Sequence, residues 1–257
     1  MSDTAQPDEN PSFLDKPDGA RIAYHRLEGK GPGIVFMGGF ASDMTGTKAM
    51  MLEAYARQRG QAFLRFDYQG HGQSSGVFAD GTIGLWHSDA LAVFDAQTDG
   101  PQIVIGSSMG GWMAMLTAVK RSDRVSALIG IAAAPDFTED LMWAGFSEEI
   151  RETLRRDGVY RAPSDYSDEP YTITYNLIVE GRNHLLLRNQ LAIRCPVRLL
   201  HGMKDEDVPY QLAIRTTEAV ASKDVRIQLV KEGDHRLSED SDLSLLARTL
   251  DELIDGS

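Results

Sequence analysis

The stretch "GSSMGG", Gly106 to Gly111, sets two adjacent serines between glycines, and acids and histidines able to activate one of them lie elsewhere in the 257-residue chain. A serine hydroxyl is a weak nucleophile until a base takes its proton and an acid holds that base. The frame Gly106-x-Ser108-x-Gly110 centres on Ser108 and leaves Ser107 as the permissive position beside it. Acids cluster at Asp205, Glu206 and Asp207 in "LLHGMKDEDVP", and Asp234 precedes His235 in "VKEGDHRLS". His235 alone stands between the last strand-like and the last helix-like segment, whereas His25, His71, His87, His184 and His201 read as structural or surface residues.

The elements that must position these groups are legible on either side of them. "QIVIG" is an apolar, β-branched strand, and Gly110 to Lys120 carries the pattern of a helix, so the chain reverses with almost no loop. A strand, a sharp turn bearing Gly-x-Ser-x-Gly and a helix form the nucleophile elbow of the alpha/beta-hydrolase fold, in which the acid and then the histidine follow the serine along the chain. That order selects Ser108, Asp205 and His235. Asp205 is favoured over Asp207 because the turn begins at Gly202 and the acid belongs near the strand end. Asp207, beside Val208-Pro209, reads as a cap for the following helix, and Asp234 adjoins His235 and so points elsewhere. The oxyanion hole requires two backbone N–H groups, predicted at Met109 and at Phe40 in "FMGGFASD", where Gly38 and Gly39 permit close approach.

Strand patterns at "RIAYHRLEG" (an edge strand), "GIVFMGG", "QAFLRF", "QIVIG", "RVSALIGIAAA", "VRLLHG" and "VRIQLV" alternate with helical patterns. The alternation predicts an α/β fold, a mostly parallel twisted sheet with helices on both faces. It breaks between Pro135 and Arg194, where one amphipathic segment, "SEEIRETLRRDG", stands among Tyr, Asp and Pro. The expected organisation is a core of residues 13–135 and 195–257, with a cap inserted at 136–194 above the C-terminal ends of the strands. Phe137, Leu141, Trp143, Phe146, Leu154, Tyr166 and Tyr171 supply that cap with apolar surface, and Trp143 and Phe146 are the expected substrate contacts.

"GPGIVFMGGFASDMTGTKA", "RFDYQGHGQSSG", "DGPQIVIGSSMGGW", "ALIGIAAAPD" and "CPVRLLHGMKDEDVP", with "DHR" near the end, closely resemble the alpha/beta-hydrolase domain-containing protein 10 family from about Ile22 onward. The resemblance implies a serine hydrolase acting as an acyl-protein thioesterase or acyl-glucuronide esterase, with its triad on Ser108, Asp205 and His235. It also implies mitochondrial relatives. The segments of the sheet resemble the family more than the cap does.

The net charge of −12 and the absence of a basic cluster argue against a nucleic-acid partner. No apolar run reaches the ~20 residues of a membrane-spanning helix. The single cysteine, Cys195, excludes a disulfide framework. Residues 1–12 hold three acids and no base, which predicts a disordered tail and a cytoplasmic protein, or a mitochondrial-matrix one had a targeting segment been removed. The expected function is hydrolysis of carboxylic esters or thioesters through an acyl-enzyme, without metal or organic cofactor, on small-molecule or acylated-protein substrates. The alternatives are a carbon–carbon bond hydrolase of the same fold and a non-catalytic ligand-binding member.

Overall fold

A computed structural model describes residues 10–162 and 170–256. The chain opens with β1 (Ser12–Asp15), β2 (Arg21–Leu27) and β3 (Lys30–Met37), followed by α1 (Thr47–Arg59), β4 (Gln61–Phe66), α2 (Ile83–Gln97), β5 (Gln102–Ser107), α3 (Met109–Lys120) and β6 (Val125–Ile131). After a π-helical turn at Thr138–Trp143 come α4 (Glu148–Asp157), β7 (Val159–Ala162), β8 (Tyr171–Thr174) and α5 (Tyr175–Gly181). The rhythm then resumes with β9 (Val197–Gly202), α6 (Gln211–Ala219), β10 (Val225–Val230) and α7 (Asp240–Asp255).

Eight strands form one sheet in the order β1-β2-β4-β3-β5-β6-β9-β10. β3, β4, β5, β6, β9 and β10 run parallel, and β1 and β2 pair antiparallel at one edge. The expected edge strand is therefore one position further in. Ser12 of β1 pairs with Tyr24 of β2, so the disorder expected over 1–12 does not extend to residue 12, and the expectation for residues 1–9 lies outside the described residues.

Period-two alternation sorts the strand side chains between two layers. Val35 and Met37 of β3 and Val104 of β5 join Trp86, Val93, Phe94 and Trp112 beneath α2 and α3. Ile34, Phe36, Ile103 and Ile105 face the other way, against Ala49, Leu52 and Ala56 of α1 and Leu246, Leu250 and Leu253 of α7. Burial on both faces explains why these strands read as continuous apolar runs. Along α7 the buried stripe is Leu246, Leu250 and Leu253, and Leu243 and Ile254 flank it half-buried.

The segment without strand–helix rhythm contains α4 where "SEEIRETLRRDG" predicts it, started by the Ser147 hydroxyl accepting from the Ile150 N–H. It also contains an antiparallel hairpin, β7 with β8, that the sequence pattern does not announce. Leu154, Ile173 and Ile178 form a small apolar core of their own there. Tyr166 lies outside the described residues. Among the described residues no helix is long and apolar enough to cross a membrane.

Leu250 has no exposed surface and locks α7 to the sheet. Leu250→Ala is expected to lower the unfolding free energy by about 2–5 kcal/mol, read from the urea midpoint.

Candidate active site

β5 ends at Ser107 and α3 begins at Met109, so Ser108 is the whole connection. Its backbone takes φ 54° and ψ −119°, a conformation that L-residues adopt only when their surroundings enforce it. The enforcement is visible in the hydrogen bonds. The Ser108 N–H donates to Ile131 O at 2.9 Å, and Ser108 O accepts from the Gly111 and Ala134 N–H groups at 2.9 and 3.0 Å. The flanking glycines are a steric necessity: a Cβ on Gly106 would lie 2.1 Å from Gly110 O, and one on Gly110 would lie 2.0 Å from Met37 O. α3 can press onto β3 and β5 only where those side chains are absent.

His235 follows β10, and its Nε2 sits 3.0 Å from Ser108 Oγ. Its Nδ1 sits 2.8 Å from Asp205 Oδ2, in the turn after β9. The three expected residues therefore meet, although 127 positions separate Ser108 from His235. The Asp205 side chain is fully buried. Burial alone would raise its pKa, but hydrogen bonds from His201 and His235, with the backbone N–H of Val208, hold the carboxyl well below the usual range. Asp205 Oδ1 accepts from the Asp207 and Val208 N–H groups at 3.0 and 2.8 Å. The remaining acids are otherwise placed. Asp207 is exposed, and Asp234 Oδ1 accepts from the Leu237 N–H, closing the turn after His235.

His201 is the member that the sequence does not disclose. It is buried, and its Nε2 lies 2.9 Å from Val208 O and 3.2 Å from Asp205 Oδ2. Both neighbours are acceptors, so Nε2 carries the proton and is shared between them. The only advance signal is the "HGMKD" spacing, which gives no register between a strand and the turn after it. His184 and His87 stand apart: His184 Nε2 pairs with Glu180 Oε1 at 2.5 Å, and burial pushes the pKa of His87 on α2 down to about 4. Burial pushes the Cys195 thiol up to about 11, so it is no competing nucleophile at neutral pH.

The Gly38–Ser42 loop runs beside the elbow. A Cβ on Gly39 would lie 3.5 Å from Ser108 Cβ. Among the described residues, neither the Phe40 nor the Met109 backbone N–H has an acceptor. Asp205, Asp207 and His235 bring ligand atoms within 4.8 Å of one another, but the Asp205–His235 hydrogen bond already occupies two of them, a poor donor set for a cation.

A cleft of about 950 Å³ opens over Ser108 and His235. One side is apolar, lined by Phe40, Phe78, Phe137, Leu141, Met142 and Tyr171, and the other is polar, with Ser42, Asp43, Lys48, Asp207, Arg236 and Ser238. Lys48 Nζ donates to Arg236 O and, at 3.3 Å, to Ser238 Oγ, clipping the His235 loop to α1, and burial pushes this ammonium down to about 8.

The expected substrate contacts need correction. Neither Trp143 nor Phe146 lines the cleft. Trp143 is ringed by the guanidinium groups of Arg151, Arg155 and Arg182 at 5.1–5.5 Å, and Phe146 meets Tyr160 at 6.0 Å. The π-helical turn gives successive residues different directions, so Leu141 and Met142 reach the cleft while Trp143 turns into the small core of its own segment.

The family model described as Alpha/beta hydrolase family matches residues 34–249. The chain is 43% identical over 248 residues to palmitoyl-protein thioesterase ABHD10, mitochondrial, of Bos taurus, a match covering 95% of this chain and 80% of that protein. Mouse alpha/beta hydrolase domain-containing protein 10 superposes with a TM-score of 0.90 at 42% identity, covering 96% of this chain and 99% of that one. A crystal structure from Agrobacterium vitis S4 gives 0.91 at 37% identity, covering 95% and 98%.

Gly110→Ala would drive a methyl group into the Met37 carbonyl. It is expected to lower the melting temperature by at least about 5 °C or to prevent folding, as read by circular dichroism.

Proposed function

The chain belongs to the alpha/beta hydrolase family, and within it to the family of palmitoyl-protein thioesterase ABHD10, and from that premise we propose that Ser108, His235 and Asp205 hydrolyse acyl thioesters and esters through an acyl-enzyme. The observation that carries the reading is the unbroken path from Asp205 Oδ2 through His235 to Ser108 Oγ, at 2.8 and 3.0 Å, beneath a two-sided cleft.

In this reading Ser108 Oγ attacks the carbonyl carbon as its proton passes to His235 Nε2. Negative charge develops on the carbonyl oxygen, and the Phe40 and Met109 N–H groups, which have no acceptor among the described residues, stabilise it. The tetrahedral species collapses and expels the thiolate or alkoxide, which takes the proton back from His235. Water then attacks the acyl-serine while His235 accepts its proton; the second tetrahedral species breaks its bond to Ser108 Oγ, which takes that proton back from His235, and the free acid leaves. Asp205, buried and ionised, holds the His235 tautomer with a proton on Nδ1 and stabilises the imidazolium. No step requires a metal or organic cofactor.

Residues 136–194 act as the cap, and Leu141, Met142 and Tyr171 set acyl preference from the apolar side. The polar side takes the leaving group, a peptide cysteine or a sugar acid. A carbon–carbon bond hydrolase would want polar groups under the cap, where the lining is apolar. The ABHD10 thioesterase of Bos taurus carries "mitochondrial" in its name, and the cytoplasmic location expected from residues 1–12 finds no support in that name.

Ser108→Ala is expected to lose on the order of 10⁴-fold or more in kcat and all labelling by a fluorophosphonate, whereas Ser107→Ala keeps most of both. Labelling that persists in Ser108→Ala would sink the assignment. Asp205→Asn is expected to drop kcat by about 10⁴-fold and Asp207→Asn by much less.

Acyl preference is to be read from p-nitrophenyl esters and acyl thioesters of graded chain length. Tyr171→Ala is expected to change the ratio of long-chain to short-chain kcat/KM by at least about tenfold. Trp143→Ala is expected to lower the melting temperature and leave that ratio within about twofold.

A further inference from the structure

We propose that His71 is a positioning residue for the oxyanion hole: its imidazole Nε2 accepts the Ala41 backbone N–H and so holds the turn that aims the neighbouring Phe40 amide at Ser108. The inference rests on the reading of Phe40 as an oxyanion donor and names what keeps that donor in place.

The loop Gly38–Ser42 has little to hold it from within. Ser42 folds back onto Gly39 O through its hydroxyl at 2.9 Å and, weakly, its N–H at 3.4 Å. Ala41 sits at φ 54°, where a residue with a Cβ stays only if something outside the turn holds it. The outside partner is His71, in "GHG" after β4, whose Nε2 lies 3.3 Å from the Ala41 nitrogen. On the other side of the ring, Nδ1 lies 3.2 Å from Gln69 O. A carbonyl only accepts, so Nδ1 carries the proton and Nε2 presents a lone pair to Ala41. Burial lowers the His71 pKa, which keeps the ring in the neutral form that can accept.

The same ring sits in the aromatic cluster that grips the Phe40 side chain. His71 meets Phe78 at 5.1 Å and Trp86 at 5.2 Å, and Phe40 meets those two rings at 4.9 and 5.8 Å. The loop after β4 is fastened to the loop after β3 a second time, by buried Asp67, which accepts from the Met44 N–H at 2.7 Å and the Gln73 N–H at 2.8 Å. Asp67 acts three residues beyond Ala41, so His71 is the fastening nearest the donor. A donor displaced by a fraction of an ångström loses much of its effect on the transition state while leaving substrate binding nearly intact.

Two substitutions separate the acceptor from the ring. His71→Phe keeps an aromatic ring and removes the acceptor; His71→Gln loses the ring but places Oε1 where Nε2 was. His71→Leu is a second acceptor-free variant if His71→Phe does not fold. With a p-nitrophenyl ester, His71→Phe is expected to lose about 10- to 100-fold in kcat with KM within about twofold. It is also expected to bind an acyl trifluoromethyl ketone, whose tetrahedral adduct fills the hole, correspondingly more weakly. His71→Gln is expected to recover kcat to within about fivefold of the parent. A fast His71→Phe beside a slow His71→Gln, or equal losses in both, would overturn the proposal in favour of simple packing. A parent protein that a fluorophosphonate fails to label would remove the catalytic reading and this one together, whereas a labelled, active parent with an unimpaired His71→Phe removes only this one.

Discussion

A single residue, Ser108, connects β5 to α3 at φ 54°, and most of the molecule can be understood as what that connection demands. The helix must start immediately, so it approaches β3 and β5 closely enough that Gly106 and Gly110 have no room for a Cβ. The strain is held by three backbone hydrogen bonds that reach Ile131, Gly111 and Ala134, so the β5–α3 turn and the end of β6 are parts of one mechanical unit. A strained residue persists only where its surroundings over-determine it. Here the surroundings are the central strands β5 and β6, buried along nearly all their length, with α3 buried along most of its own. The same turn that exposes Oγ at the cleft also leaves the Met109 N–H at the first position of a helix, where no intrahelical acceptor exists.

The groups that face Ser108 come from the ends of two neighbouring strands, β9 and β10, and their electrostatics depend on unequal burial. The Asp205 side chain has no exposed surface and is surrounded by donors, whereas His235 keeps 17% of its side-chain surface exposed. The acid is thereby locked in its ionised form and in one orientation, and the base remains within reach of the cleft. His201 tightens the acid side further, by sharing one N–H between Asp205 and Val208 O.

Above the sheet, Phe40 links the chemistry to the residues that cover it. Its ring meets Phe78, Trp86, Phe137 and Tyr171 within 5.8 Å, so the loop bearing its backbone N–H is wedged between the sheet and the hairpin strand β8. Edge-on ring contacts of this kind favour a fixed arrangement over a sliding one. A cleft that is apolar on the Phe40 side and polar on the Lys48 side follows from the same placement.

The elbow and the acid–histidine order were legible in the sequence because both are local. A strand that stops at Gly106, a helix that starts beside it, and acidic and histidine turns after the last two strands are patterns within a few residues of chain. The alternation of strands and helices likewise identified the fold, since burial on both faces writes itself into each strand as an apolar run. Short β1 and the β7–β8 hairpin were not legible, because four-residue strands stabilised by a neighbour carry almost no pattern of their own. Nor were the turn of Trp143 away from the cleft and the placement of His201 and His71. Their residue types are visible, but the direction of a side chain within a π-helical turn, and the partner a buried imidazole finds on another loop, are set by packing between segments distant in sequence. Residue type and short-range spacing determined which chemistry this chain can carry. Long-range close packing alone decided which side chains line the cleft and which hold the reacting groups in register.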